Sequence, residues 1–243
     1  MNFIIVIPAR YASSRFPGKP LVKIHGKTML QRVYEKCCQA VEKKNIIVAT
    51  DSKKIKDHCK KKKLNFIMTS KKCLTGTDRV AEVSKKIKRD FYINVQADEP
   101  LIKIRDLKKI INYAKKNPNE IINAMCSIKN RKDYFNFNIP KLVFDKSKNL
   151  VYMSRAAIPS NKKNKFIKSY KQVCIYAFPR KKLKIFLNQK VKTPNEKIED
   201  LEILRFIDLG FKVKMIKVSE SSIAVDTKQD LKKVIRIFNN AIN

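Results

Sequence analysis

The sequence predicts an α/β fold in which a mostly parallel central sheet is flanked by helices. One observation is the continuous apolar run Phe3–Pro8, which is typical of a strand buried on both faces. The other is the alternation of strand-like and helix-like segments that follows it as far as residue 114. The length of 243 residues fits a single domain of this class.

Each element of the first half follows from its apolar pattern. Short apolar runs predict strands at 46–49, 65–68 and 92–95. Apolar residues at helical spacing predict helices at 29–41, 77–87 and 107–114, and we interpret the basic segment 55–63 as a further helix. Together they form a βαβα series.

The second half is richer in strands, which the sequence predicts at 122–128, 141–144, 150–153 and 173–178. A Lys- and Asn-rich loop spans 161–169. Thr193, Pro194 and Glu196 have the order of a helix start with a capping box, and Thr227 to Asp230 repeats that form before the last helix. We expect one domain over 1–243, with a β-rich insertion at about 130–180.

The charge of the chain allows two interpretations. The 56 Lys and Arg against 21 Asp and Glu give +35, which by itself suggests a nucleic acid or an anionic membrane as partner. However, 45 of these cations are Lys, the chain has four Gly and no Trp, and such a composition is typical of an A+T-rich genome. The Lys runs also lack the interleaved aromatic residues that would stack on bases. We therefore expect no specific nucleic-acid partner.

Other features of the composition concern location. No apolar run approaches the roughly 20 residues of a membrane helix. The first apolar run is too short for a signal peptide. The six cysteines contain no CxxC pair. We expect a cytoplasmic protein with reduced thiols and without membrane insertion.

The loop after the first strand, Pro8 to Leu21, is the first candidate site. It contains three cations, Arg10, Arg15 and Lys19, two of them drawn from only 11 Arg, together with Ser13 and a Pro-Gly pair. In an open α/β sheet, ligands bind beyond the carboxyl ends of strands. The loop lacks the glycine patterns of a P-loop or a dinucleotide fingerprint. The alternative interpretation is a surface loop that is cationic only because the whole chain is. The clustering of three cations with a Pro-Gly pair favours a loop that binds a triphosphate.

Acidic and polar residues after later elements form the remaining candidates. Asp98 ends a buried strand, and Mg²⁺ prefers one or two carboxylates combined with phosphate oxygens and water. Glu99 points the other way and is interpreted as structural. Asp226, taken alone, is better explained as an acid at a helix N-terminus. Either Thr77 or Asp78 serves as an ordinary helix cap, or the backbone of this Gly turn and Arg79 contact a base or phosphate, and both interpretations stay open.

These segments, in this order and spacing, resemble 3-deoxy-manno-octulosonate (Kdo) cytidylyltransferases. The resemblance extends from Phe3 to Leu231 and rests on seven motifs. They are PARYASSRFPGKPL at 8–21, ATD at 49–51, TGTDRVAE at 75–82, NVQADEP at 94–100, MSRAAIP at 153–159, TPNEKIEDLEILR at 193–205 and AVDTKQDL at 224–231.

The resemblance implies a Rossmann-like nucleotidyltransferase fold and a homodimer joined through the β-rich insertion. It also implies transfer of CMP from CTP to the anomeric hydroxyl of Kdo, for lipopolysaccharide synthesis. By the same resemblance, Ala9, Arg10, Ser13, Arg15, Lys19, Thr75, Arg79 and Gln96 would bind the nucleotide. Arg10, Lys19, Asp98 and Asp226 would be catalytic, the two acids holding Mg²⁺, while Arg155, Gln172, Tyr176 and Glu196 would face the sugar acid.

Departures from the family pattern collect on the sugar side. Gln172 and Cys174 stand where His and Gly are common, Cys73 replaces a second His, and Asn195 replaces Leu. Two interpretations stay open. One is drift in a biased genome. The other is a modified acceptor, such as 8-amino-Kdo or another ulosonic acid, because Gln keeps hydrogen bonding but loses the titratable cation of His.

Overall fold

The computed structural model describes residues 1–12, 16–219 and 223–240. Helices cover both faces of a central sheet in this part of the chain, as the sequence predicts. The strands are β1 (Phe3–Pro8), β2 (Lys23–Ile24), β3 (Lys27–Thr28), β4 (Ile46–Thr50), β5 (Phe66–Met68), β6 (Phe91–Val95), β7 (Ile121–Ser127), β8 (Lys141–Phe144), β9 (Leu150–Ser154), β10 (Tyr170–Pro179) and β11 (Val213–Lys217). The helices are α1 (Met29–Ala40), α2 (Lys53–Lys61), α3 (Gly76–Lys86), α4 (Ile104–Lys116), α5 (Arg131–Phe135), α6 (Arg180–Asn188), α7 (Pro194–Glu199), α8 (Leu204–Asp208) and α9 (Lys228–Asn240).

The sheet has the order β11-β7-β10-β6-β1-β4-β5. Strands β6, β1, β4 and β5 are mutually parallel, and β11 is parallel to β7. Strand β10 is antiparallel to both of its neighbours, β6 and β7. The mostly parallel sheet is thus confirmed, and within this seven-strand order of the described residues β10 is the reversed strand. The carboxyl ends of β1 and β6 consequently lie side by side.

Strand β1 is buried on both faces because its side chains alternate between two cores. Ile5 and Ile7 pack with residues of α1, α2 and α4 on one face. Ile4 and Val6 pack with residues of α3, α6 and α8 on the other. This two-sided cover explains the continuous apolar run from which the fold was predicted.

The β-rich segment attaches to one end of β10. Strands β8 and β9 form an antiparallel pair, and β8 also pairs with the first residues of β10. Farther along, the β10 pairing with β7 is interrupted by an irregularity between Val173 and Tyr176. The Asn123 side chain bridges it, because its Nδ2 donates to the carbonyls of Val173 (3.0 Å) and Ile175 (3.1 Å). Cys174 lies within this irregularity, and Gln172 directly precedes it.

Several elements were missed by the sequence patterns. They are the short β2–β3 pair, β11, and helices α5, α6 and α8. Helix α6 begins after Pro179 without a side-chain cap, so it lacks the start signal on which α7 was predicted. Within the described ranges, no helix is long and apolar enough to cross a membrane.

Candidate functional site

The loop after β1 turns sharply at Gly18 and presents Lys19. Gly18 has a φ of +71°, a left-handed conformation that favours glycine, and its N–H donates to the Tyr11 carbonyl at 2.8 Å. A Cβ here would also lie 3.3 Å from the Tyr11 ring. A short 3-10 turn, Lys19–Leu21, follows with Pro20 in its first turn. The Pro-Gly sequence therefore fixes the backbone from which Lys19 reaches the site.

The side chains of Lys19, Asp98 and Asp226 meet at the carboxyl edge of the sheet. Lys19 Nζ lies 2.6 Å from Asp98 Oδ2 and 3.3 Å from Asp226 Oδ1. The N–H of Val225 donates to the Asp98 carbonyl at 2.9 Å, so the backbone itself holds the two acidic segments together. Burial alone would lower the pKa of Lys19, but the charges and hydrogen bonds of both aspartates outweigh it and raise this pKa above its usual value. The cluster unites residues that are 207 positions apart in sequence.

A cleft opens around this cluster. It is lined by residues of four separate segments of the chain: Pro8, Arg10, Lys19, Pro20, Gly76, Gln96, Ala97, Asp98 and Asp226. Arg10 is exposed and its Nη1 donates to the Leu74 carbonyl at 3.4 Å. Ala9 is buried, with its N–H bonded to the Ala49 carbonyl at 2.9 Å. Ser13 and Arg15, also predicted to bind the nucleotide, lie outside the described residues.

Thr75 and Arg79 hold the start of α3. Thr75 is the N-cap and forms a capping box with Asp78, so the capping interpretation is confirmed for Asp78, whereas Thr77 is not the cap. Arg79 is almost completely buried, and its guanidinium bonds to Asp51 Oδ2 and Thr69 Oγ1, both at 2.7 Å. Arg79 is therefore engaged with protein groups rather than lining the cleft.

Gln96 contacts the start of α3 from the end of β6. A Cβ added to Gly76 would lie 2.7 Å from Gln96 Nε2, so only glycine allows this approach. The same nitrogen donates to Glu202 Oε1 at 3.1 Å, and Glu202 Oε2 accepts from the Thr77 N–H at 2.9 Å. Burial raises the pKa of Glu202, partly offset by its hydrogen bonds to Thr77 and Thr75. Glu202 was missed as a site residue, although it lies within the motif at 193–205.

The four residues predicted for the sugar side lie in different surroundings. Arg155 is half-buried, and its Nε donates to the Glu199 carbonyl at 2.7 Å. Gln172 Nε2 donates to Asn123 Oδ1 at 2.9 Å. Tyr176 is buried and stacks on Phe178, and burial raises its pKa well above the usual value.

Glu196 is wholly buried, and both of its carboxylate oxygens bind Arg205, at 2.6 and 2.7 Å. It also completes the predicted capping box with Thr193. Arg205 Nη1 reaches Asp78 Oδ1 at 2.8 Å, linking this helix start to that of α3. In this arrangement Glu196 is a structural residue of the interior and presents no surface to a sugar acid.

Glu99 is also buried, and its Oε1 accepts from the Cys174 N–H at 3.4 Å, in line with its structural interpretation.

Comparison with known proteins identifies the family. The sequence profile of the cytidylyltransferase family matches residues 4–217. The chain belongs to the cytidylyltransferase family. A 3-deoxy-manno-octulosonate cytidylyltransferase of Fusobacterium nucleatum is 38% identical over 241 residues, which are 97% of this chain and 96% of that protein. The resemblance that the seven motifs indicate is thereby confirmed.

Two further members of the family bear on the fold and on the acceptor. A solved structure of CMP:2-keto-3-deoxy-manno-octonic acid synthetase complexed with CTP superposes with a TM-score of 0.90, at 33% identity, covering 99% of this chain and all of that one. An 8-amino-3,8-dideoxy-manno-octulosonate cytidylyltransferase of Shewanella halifaxensis is 37% identical over 96% of each chain. The predicted nucleotidyltransferase fold is thus confirmed.

Proposed function

We propose that this cytidylyltransferase transfers CMP from CTP to the anomeric hydroxyl of Kdo, with release of pyrophosphate. The observation that carries the proposal is the meeting of Lys19, Asp98 and Asp226 beside Gln96, at the edge of the sheet where α/β proteins bind ligands. The product of such a reaction would serve lipopolysaccharide synthesis, and we place the protein in the cytoplasm.

The reaction needs positioning and charge neutralisation more than covalent chemistry by the protein. The sugar hydroxyl attacks the α-phosphorus in line, and the bond to pyrophosphate breaks. Arg10 and Lys19 would bind the phosphates and neutralise the charge that develops on the leaving group. Gln96, which lines the cleft, would position the cytidine. We assign no protein group as general base.

Asp98 and Asp226 are the residues that would hold Mg²⁺. Their fit to a metal rests on donor chemistry, because two carboxylates from separate segments already converge on one positive group. Among the described residues no group of three or more His, Cys, Asp or Glu could hold a metal, so phosphate oxygens and water would complete the shell. When bound, the ion would polarise the α-phosphate.

A modified acceptor is the second candidate, carrying an amino group on the sugar acid. The observation that favours it is Gln172, which replaces a common His and is oriented by Asn123. A neutral amide can accept a hydrogen bond from an amine, whereas a protonated His would repel an ammonium group.

One assay tests the reaction and the acceptor together. Pyrophosphate release is followed with CTP, Mg²⁺ and a panel containing Kdo, 8-amino-Kdo and other ulosonic acids. Release should require all three components, and Asp98→Ala should abolish it while the thermal midpoint stays near that of the wild type. Asp57→Ala, at an exposed position of α2, is the matched control and should keep full activity. Normal turnover of Asp98→Ala would remove the metal assignment.

We also propose that two copies associate through the β-rich segment. Phe137 is 72% exposed and Ile198 is 81% exposed. Arg155 donates to the carbonyl of Phe137 (3.2 Å) and to that of Glu199 (2.7 Å), the residue after Ile198. Sedimentation velocity should give a dimer for the wild type and a monomer for Phe137→Asp. A wild-type monomer at micromolar concentration would contradict this assembly.

A further inference from the structure

Lys19 holds both of the carboxylates that we assign to the metal. Its Nζ lies within hydrogen-bond distance of Asp98 (2.6 Å) and of Asp226 (3.3 Å). The three side chains are 14%, 22% and 26% exposed, respectively, so water screens their charges only partly. An ammonium group of the chain itself therefore stands between the two acids.

The need for a cation at this position follows from the backbone. The hydrogen bond from Val225 N–H to the Asp98 carbonyl keeps the acidic segments adjacent whether or not a cation is present. Two carboxylates brought together in a partly dry site repel each other unless a positive charge lies between them. Lys19 supplies that charge within the folded chain.

The same ammonium has a second set of anions to bind. Lys19 belongs to the loop that we assign to the triphosphate, and Gly18 and Pro20 fix its backbone while its four-carbon side chain can turn. A divalent cation that contacts Asp98 and Asp226 directly, at about 2.1 Å from their oxygens, would lie close to the ammonium group that is 2.6 Å from Asp98 Oδ2 and 3.3 Å from Asp226 Oδ1, and the two positive charges would repel each other. Lys19 and the metal cannot both keep their closest contacts.

We propose that Lys19 is a built-in competitor of the divalent cation, and that a bound nucleoside triphosphate relieves the competition. This inference rests on the proposed function. In the free enzyme the metal has to displace the ammonium and binds weakly. Phosphate groups offer Lys19 other anionic partners, so the carboxylates become available to the metal. By linkage, the metal strengthens nucleotide binding by the same factor.

The test measures metal binding to the nucleotide-free protein, with Mn²⁺ alone as the probe and its free electron paramagnetic resonance signal as the readout. Lys19→Met should bind Mn²⁺ roughly tenfold or more tightly than the wild type, because the competing charge is gone. Lys19→Arg, which keeps the charge, should bind as weakly as the wild type. Lys23→Met removes a nearby exposed lysine and should change nothing.

Two further variants separate this inference from the metal assignment. Lys19→Met combined with Asp98→Asn should lose the tight Mn²⁺ binding. If the double variant binds as tightly as Lys19→Met, Asp98 is not a ligand and the proposed function loses its metal site. If Asp98→Asn weakens Mn²⁺ binding but Lys19→Met binds Mn²⁺ no more tightly than the wild type, Asp98 remains a metal ligand. In that case only the proposal that Lys19 competes with the metal is overturned. Lys19→Gln serves as a second uncharged variant should Lys19→Met fail to fold.

Discussion

At the scale of single residues, Gly76 determines where Gln96 lies. A Cβ at position 76 would come within 2.7 Å of Gln96 Nε2, which real Cβ atoms do not tolerate. Gly76→Ala should therefore push the Gln96 amide away from Glu202 while α3 is retained, since alanine favours helix. We expect kcat/KM for CTP to fall about tenfold, equivalent to roughly 1.4 kcal/mol, with little change in thermal midpoint.

A double-mutant cycle checks that Gly76 acts through Gln96. Gln96→Ala should cost about as much activity as Gly76→Ala, and the combination should cost little more than either single change. Fully additive losses would show that Gly76 contributes independently of Gln96.

Lys141 gives the stability of the protein a pH dependence. Its ammonium is buried and donates to the carbonyls of Asn136, at 2.9 Å, and Arg155. Burial, together with the charge of Arg155, lowers its pKa from 10.5 to about 8. Between these two values the unfolded chain binds more protons than the folded one, so Lys141 makes the free energy of unfolding rise with pH.

The measurement is urea denaturation from pH 7.5 to 10.5 on wild type and Lys141→Met. The rise through this window should be smaller in Lys141→Met, because the titrating group is removed. Lys85→Met, an exposed lysine of α3, should retain the wild-type slope. If the free energy of unfolding rises equally with pH in the wild type and in Lys141→Met, the titration of Lys141 is not the cause of the rise.

At the scale of elements, Arg205 joins the starts of α3 and α7 to α8. It is fully buried, binds Glu196 and Asp78, and its guanidinium lies 3.9 Å from the centre of the Phe186 ring. Removing the guanidinium would leave two buried carboxylates without a cation. Arg205→Met should therefore lower the free energy of unfolding by about 3–5 kcal/mol, measured by urea denaturation.

An exposed ion pair provides the contrast for Arg205. Lys44 and Glu42 are paired at 2.8 Å, but their side chains are 74% and 70% exposed. Water and salt screen such a pair, so Lys44→Met should leave the urea midpoint nearly unchanged. Equal losses of unfolding free energy in Arg205→Met and Lys44→Met would show that burial does not determine how much an ion pair contributes to stability.

Local patterns predicted most elements but not their arrangement. The strands of the first half follow from short apolar runs, and α7 follows from its capping box. The place of β10 between β6 and β7 depends on pairing between distant residues, such as Tyr176 with Asn94 and Asn123, and no local pattern encodes it. The same limit explains why Glu202 was missed, since its partners Gln96 and Thr77 are distant in sequence.

At the site, the basic loop at 8–21 and Asp98 were candidates from residue types at strand ends, whereas Asp226 became one only through the family resemblance. Taken alone, Asp226 precedes a helix and is explained by that position. Only the folded chain brings it to Lys19. Arg79 and Glu196 show that the side chains of motif residues can also bond to protein groups in the interior.

At the scale of the whole molecule, the charge of +35 is the feature that the fold does not require. The backbone superposes on a relative at a TM-score of 0.90, and its cores are apolar. Of the cations, Arg10 and Lys19 line the cleft, while most of the excess is exposed lysine. The exposed lysines, which do not line the cleft, still create a long-range electric field that attracts anions.

We expect this field to accelerate the capture of CTP. Stopped-flow measurements should give an association rate constant for CTP that falls steadily as NaCl is raised, because the screening length shrinks to about 10 Å at 0.1 M salt. Cytidine, which has the same base and sugar but no phosphate, is the matched ligand and should associate at a rate nearly independent of salt. Steering predicts that the two ligands diverge most at low ionic strength. If CTP and cytidine show the same salt dependence, the excess lysine contributes nothing to capture and the charge reflects composition alone.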